Sequence, residues 1–127
     1  MILVVDASAI VSSLTDPGKR GGEARSILVE PDLLAPCLVD LEVAQGFRRV
    51  GLLSSADMTE ALHRYRRLLI RRFEHLPLLP RIWELRHNLT AYDAAYVALA
   101  EATGAPLVTA DRKLASTPGH RAEVIAV

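Results

Sequence analysis

The sequence predicts an α/β sandwich built on a mostly parallel sheet, and three observations predict it. Short runs of branched apolar residues, Ile2-Leu3-Val4-Val5 and Pro106-Leu107-Val108-Thr109, read as strands buried on both faces, as central parallel strands are. Segments with helical apolar spacing alternate with such runs, which is the pattern of a layered α/β fold. Both strands stop at an aspartate, Asp6 and Asp111.

Taken in order, residues 7–14 read as a helix closed by Asp16-Pro17-Gly18. Lys19-Arg20-Gly21-Gly22 reads as a mobile loop, and residues 23–29 as a second helix that stops before Pro31. Residues 33–35 form a second short strand ended by Pro36, and residues 38–50 a helix with Gly51 as its stop. Ser54 and Asp57 are spaced as a capping box for the next helix. There Met58, Ala61, Leu62, Tyr65, Leu68 and Leu69 share one face, and Glu60, His63, Arg64, Arg66, Arg67 and Arg71 occupy the others. Residues 73–79 are ambiguous, with a short strand as the candidate, and residues 81–87 read as a helix. Thr90 opens a helix that runs through Ala102 and stops at Gly104, and residues 124–127 supply a last strand. No repeat, linker or low-complexity tract interrupts residues 1–127, which are expected to form one domain.

Half of the 127 residues are hydrophobic, enough for a core that removes about two thirds of the unfolded surface from water. Only 5% are aromatic, so Leu, Val, Ile and Ala must fill most of it. Fifteen basic residues balance fifteen acidic ones, which by itself argues against a nucleic-acid partner. The distribution points the other way. Setting aside Asp6, Glu42, Asp93 and Asp111 leaves an excess of four positive charges, and thirteen of the fifteen basic residues are arginines. Arginine grips phosphate with paired hydrogen bonds where lysine offers a point charge; the same bias also follows from a GC-rich genome. Cys37, the lone cysteine, forms no intrachain disulfide and reads as a small core residue in a reducing compartment. No apolar run is long enough for a membrane span, and the first residues lack a basic leader, so no membrane association and a cytoplasmic location are expected.

The chemistry is carried by carboxylates. Asp6 and Asp111 follow two parallel strands, and ligands of parallel sheets bind at the carboxyl edge. Carboxylates brought together there repel one another and take up protons unless a cation lies between them. A hard ion such as Mg²⁺ prefers such oxygen ligands. The plainer alternative is that each aspartate is a strand-end turn residue or a helix N-cap. Asp93 lies in the first turn of the 90–102 helix, where Thr90 and Asp93 have capping-box spacing, but the small apolar residues after it imply a deeply packed helix and a partly buried carboxylate. Glu42 lies between Leu41 and Val43, and spacing alone reads it as a solvated helix position, with Asp40 two residues away as a rival. Ser8 and Thr109 have hydroxyls placed to orient a carboxylate or a water, or to cap local turns. His63, His75, His87 and His120 show no zinc-ligand spacing and read as structural or solvated, which disfavours a histidine-based mechanism.

Val4-Val5-Asp6-Ala7-Ser8, Leu41-Glu42, residues 90–100 (TAYDAAYVALA) and Leu107-Val108-Thr109-Ala110-Asp111 resemble, in order and spacing, the successive motifs of PIN-domain ribonucleases, and in particular the VapC toxins of bacterial toxin–antitoxin pairs. The resemblance spans nearly the whole chain, and its most specific part surrounds Tyr92-Asp93. It implies a PIN-like three-layer α/β/α sandwich and an RNA endonuclease that uses Mg²⁺ or Mn²⁺ and leaves a 5′-phosphate and a 3′-hydroxyl. It implies Asp6, Asp93 and Asp111 as metal ligands, directly or through water, with Glu42 holding a second ion or orienting the nucleophile. Arg86, Arg112 and Lys113 are then candidates for gripping the RNA backbone, and a cognate antitoxin and a homodimer are the implied partners. Two rivals stand beside this reading. An aspartyl phosphotransfer domain suits Asp6, but its dehalogenase-type pattern wants a second aspartate where Ser8 stands and a downstream lysine, for which only Lys113 is available. A catalytically silent PIN-fold module is expected to have lost a central acid, and none is lost here.

Overall fold

A computed structural model describes residues 1–29, 31–51 and 54–127. Its centre is a five-stranded, fully parallel sheet in the order β3-β2-β1-β4-β5. The strands are β1 (Ile2–Val5), β2 (Asp32–Pro36), β3 (Ile70–Phe73), β4 (Leu107–Thr109) and β5 (Val124–Ala126). The helices are α1 (Ala7–Thr15), α2 (Lys19–Leu28), α3 (Val39–Arg49), α4 (Ser55–Arg67), α5 (Leu79–Glu84), α6 (Ala91–Thr103) and α7 (Arg112–Ser116). A 3₁₀ turn spans Leu76–Leu78.

β1 is the middle strand because Leu3, Val4 and Val5 are all removed from solvent. The chain winds outward from it in both directions, through β2 and β3 on one side and β4 and β5 on the other. The gap between the carboxyl ends of β1 and β4 is therefore the point where strand order reverses, and open α/β sheets bind ligands at such points. Register there is fixed by Val4 opposite Leu107 and Val5 opposite Val108, and by the Asp6 N–H donating to Val108 O at 3.1 Å. α6 packs on β1, β2 and β4, while α1 contacts β4 and gathers α2, α3 and α4 around itself. Seven consecutive α6 residues, Ala94 to Ala100, are buried, and the four alanines among them let the helix lie close to its neighbours. On α3, the α-carbon of Gly46 lies so close to α1 that an added Cβ would meet Val11 Cγ2 at 2.6 Å.

Several sequence expectations shift. Lys19 to Gly22 is the first turn of α2 and not a mobile loop. The carboxylate of Asp16, just past α1, accepts from Gly18 N at 2.7 Å and Gly21 N at 3.2 Å and folds the turn tightly. The two glycines read as flexibility in the sequence, whereas Gly21 is there for close approach. The third strand lies at Ile70–Phe73, ahead of residues 73–79, because the Ile-Arg-Arg-Phe segment pairs with β2 as an edge strand. Leu69 is consequently exposed outside α4, and Leu62 is also partly exposed, so Ala61 and Tyr65 carry that helix's burial. α5 begins at Leu79, two residues earlier than expected, and ends at Glu84. Cys37 is exposed and not a core residue. The capping signals hold: Ser54 accepts from Asp57 N, Thr90 accepts from Asp93 N, and Gly104 ends α6 in the left-handed conformation.

A Cβ on Gly21 would stand 1.9 Å from the carbonyl oxygen of Asp16. Gly21→Ala is expected to destabilise the fold by ~1–3 kcal/mol, as overpacking does. A thermal melt checks this, with a midpoint several degrees below wild type as the expected result.

Candidate active site

Asp6 both ends β1 and caps α1. Its Oδ1 accepts from Ala9 N at 3.0 Å and from Ser8 Oγ at 2.6 Å, and its Oδ2 accepts from Thr109 Oγ1. The same two hydroxyls accept in turn from the β4–α7 turn. Ala110 N donates to Ser8 Oγ at 2.9 Å, and Asp111 N donates to Thr109 Oγ1 at 3.0 Å. Each hydroxyl has one proton, and both protons point at Asp6, so the carboxylate of Asp6 ties the end of β1 to the end of β4.

Asp6, Glu42, Asp93 and Asp111 line one cleft of about 780 Å³ at this edge of the sheet, together with Ser8 and Tyr96. Asp111 caps the short helix α7 by accepting from Lys113 N at 3.0 Å. Asp93 occupies the first turn of α6 and Glu42 that of α3. Carboxylates at helix N-termini are favoured by the helix dipole, so capping and chemistry are compatible roles here. Glu42 is half-buried, not a freely solvated position, and its Oε1 accepts from Tyr96 Oη at 2.7 Å. Asp40 faces elsewhere: it accepts from Arg72 Nε at 2.8 Å and Tyr65 Oη at 2.7 Å, and the Arg72 guanidinium holds its carboxyl below the usual range.

Burial governs the site's electrostatics. It pushes Asp6 up to about 6, against the lowering effect of the Ser8, Thr109 and Ala9 hydrogen bonds, and the charge of Asp93 adds to the rise. Burial likewise raises Glu42, with the Tyr96 hydroxyl opposing, and raises Asp93, with the charge of Asp111 as the next cause. Tyr96 is driven well above the usual tyrosine range by burial and by Glu42, so it stays a donor. Among the described residues no three His, Cys, Asp or Glu side chains are placed to grip one ion between them. The donor set is nonetheless wholly hard oxygen. That suits Mg²⁺ or Mn²⁺, and Mg²⁺ in particular keeps several waters and needs only one or two protein carboxylates beside substrate phosphate.

The basic residues named from sequence lie outside this lining. Arg86 stacks on the exposed Trp83 with its guanidinium carbon 4.4 Å from the ring centroid, and donates to Trp83 O, so it is not part of the cleft. Arg112 and Lys113 are exposed on the first turn of α7 beside Asp111. The cleft instead contains Arg20 and Arg49, which sequence reasoning missed, along with the buried hydroxyl of Tyr96. Helical spacing carried a signal for two of them: Tyr96 is three residues beyond Asp93, and Arg49 seven beyond Glu42. Arg20 gave none, because its partners are distant in sequence.

The carboxylates gathered at the strand-order reversal, with Asp6 buried among them, and the winding of the sheet define a PIN-type nuclease fold. The chain belongs to the PIN domain family, whose profile matches residues 3–119. It is 46% identical over 119 residues to ribonuclease VapC9 of Mycobacterium tuberculosis, with 91% of each chain covered. To ribonuclease VapC1 of the same species it is 42% identical over 125 residues, covering 95% of this chain and 94% of VapC1. The structure of a toxin–antitoxin complex from Klebsiella pneumoniae matches with a TM-score of 0.66 at 19% identity over 90% of each chain, a likeness of fold. The resemblance drawn from the motifs holds.

Because the folded state raises the affinity of Asp6 for a proton above its ordinary value, the stabilising contribution is complete below pH ~4 and is lost as pH rises through about 6. Ionised Asp6 thus costs the metal-free fold on the order of 3 kcal/mol at neutral pH. In EDTA the melting temperature is expected to fall between pH 5 and pH 7.5, and Asp93→Asn to reduce that fall by removing a repelling charge. A pH series of melts checks both, and a flat wild-type profile would contradict the burial argument.

Proposed function

We propose that this chain is a divalent-metal-dependent RNA endonuclease, the toxin of a toxin–antitoxin pair, acting as a single PIN unit at the β1–β4 cleft. One observation carries the reading: carboxylates from four separate segments, Asp6, Glu42, Asp93 and Asp111, line one cleft where strand order reverses. Kinship to VapC ribonucleases over nine-tenths of the chain supports RNA as substrate and an antitoxin as partner.

In this reading Asp6, Asp93 and Asp111 would hold the metal, directly or through its waters, and Glu42 would hold a second ion or orient the nucleophile. A bound Mg²⁺ or Mn²⁺ supplies an acidified water as nucleophile and positive charge against the phosphate. The protein's own part is positioning. Ser8, Thr109 and the Ala9 amide use about three of the four acceptor sites of Asp6, so one is left and its direction is fixed. Tyr96 fixes Oε1 of Glu42 and leaves Oε2 available. Arg112 and Lys113 are rim contacts for the RNA backbone. The phosphotransfer alternative is poorly served, because a carboxylate buried and bonded on both oxygens is a weak acceptor for a phosphoryl group. The silent-module alternative lacks its expected lost acid. Exposed apolar side chains at Leu76, Leu79 and Trp83 favour a homodimer, since such groups on a small domain mark association surfaces. No described helix is long and apolar enough to cross a membrane, and a cytoplasmic location is proposed.

Asp6→Asn, Asp93→Asn and Asp111→Asn are each expected to abolish Mg²⁺- or Mn²⁺-dependent cleavage of RNA while circular dichroism stays native. Wild-type rates in any of the three would remove that residue from the site. Light scattering is expected to give twice the protomer mass, and a monomer at high concentration without antitoxin would contradict the dimer.

A further inference from the structure

The cleft wall holds two cations that the proposed reaction has not used. Arg20, in the first turn of α2, reaches across to the β4–α7 turn. Its Nη2 donates to Ala110 O at 2.7 Å and to Val127 O at 3.1 Å, and its Nε donates to Val127 O at 3.4 Å. These contacts engage three of the five guanidinium N–H groups and leave both protons of Nη1 unengaged. The side chain is held by the main-chain oxygens of Ala110 and Val127 next door to Asp111, and among the described residues it pairs with no Asp or Glu side chain. Arg49 lines the same cleft from α3, seven residues beyond Glu42, which is about 10 Å along the helix axis. Among the described residues it has neither ion pair nor hydrogen bond, and it acts on Glu42 only through its charge.

Arg20, anchored by main-chain oxygens beside side-chain carboxylates that it does not pair with, is preorganised for an outside anion, and Arg49 keeps its guanidinium N–H groups unengaged among the described residues. The two stand on different walls. Asp16 also lines the cleft, but its oxygens are taken up by Gly18 N and Gly21 N. Between the two walls lies α1, whose Val11, Ser12 and Thr15 continue the cleft away from the four acids. The close approach of Gly46 to Val11 brings α3, and with it Arg49, alongside α1.

Resting on the nuclease reading above, we propose that Arg20 and Arg49 bind two backbone phosphates of the RNA strand on either side of the reacting one, so that the strand follows α1 between α2 and α3. The contacts are to phosphate and carry no base preference. The four acids of the site repel the strand until divalent ions offset them, so binding by these arginines requires a divalent ion to be present.

The test is fluorescence anisotropy with a 20-nucleotide single-stranded RNA of mixed sequence, with Ca²⁺ as the divalent ion. Each single-strand phosphate contact contributes about 0.7 to the slope of log affinity against log salt, read from about 50 to about 200 mM. Arg20→Gln and Arg49→Gln are each expected to weaken binding several-fold and to reduce the slope by about that amount, independent of sequence. Arg66→Gln, an exposed charge on α4, is expected to leave the slope unchanged. Arg49 makes no hydrogen bond or ion pair among the described residues, so Arg49→Gln keeps the test valid if Arg20→Gln disturbs the fold. Unchanged slopes in both variants, with wild type still cutting RNA, would overturn this strand path alone. A wild type that neither binds nor cuts RNA in any divalent ion would overturn the nuclease reading with it.

Discussion

The carboxylate of Asp6 is buried where β1 meets β4, and the arrangement of the site depends on how that burial is tolerated. A charged group in this position needs donors, and three reach it: the hydroxyls of Ser8 and Thr109 and the amide of Ala9. Those hydroxyls also receive the amides of Ala110 and Asp111. One charge therefore sets the start of α1, the end of β4 and the turn that presents Asp111. Replacing it by an apolar group would leave two hydroxyls and an amide without their acceptor.

The hydrogen bonds do not fully offset the burial. Asp6, Glu42 and Asp93 all hold protons more tightly than free carboxyls do, with loss of hydration as the first cause in each. The repulsion between Asp6 and Asp93, between Glu42 and Asp93, and between Asp93 and Asp111 makes Asp93 the hub of that strain. A cation placed among them would relieve that repulsion.

Two glycines illustrate how the scaffold reaches this geometry. Gly21 lets the turn after α1 close onto Asp16, which places Arg20 on α2 near the β4–α7 turn. Gly46 lets α3 lie against Val11, which brings Glu42 into the cleft beside Tyr96. Neither glycine has the positive φ of a turn residue. Each is needed for the atoms it lacks.

The sequence by itself determined the buried central strands, the aspartates at their ends, the capped helix bearing Asp93 and the family to which these motifs belong. These features are local: apolar runs, cap spacing and short motifs are written in consecutive residues. Only the tertiary structure decided that Glu42 and not Asp40 faces the cleft, because Arg72 and Tyr65 on other elements hold Asp40 away. It also decided that Ser8 and Thr109, 101 residues apart, serve one carboxylate. The cations came out differently for the same reason. Arg86, adjacent in sequence to the Asp93 motif, is stacked on Trp83, while Arg20 enters the cleft by bonding main-chain oxygens 90 and 107 residues away. Which long side chain faces a site is settled by partners that sequence spacing does not encode.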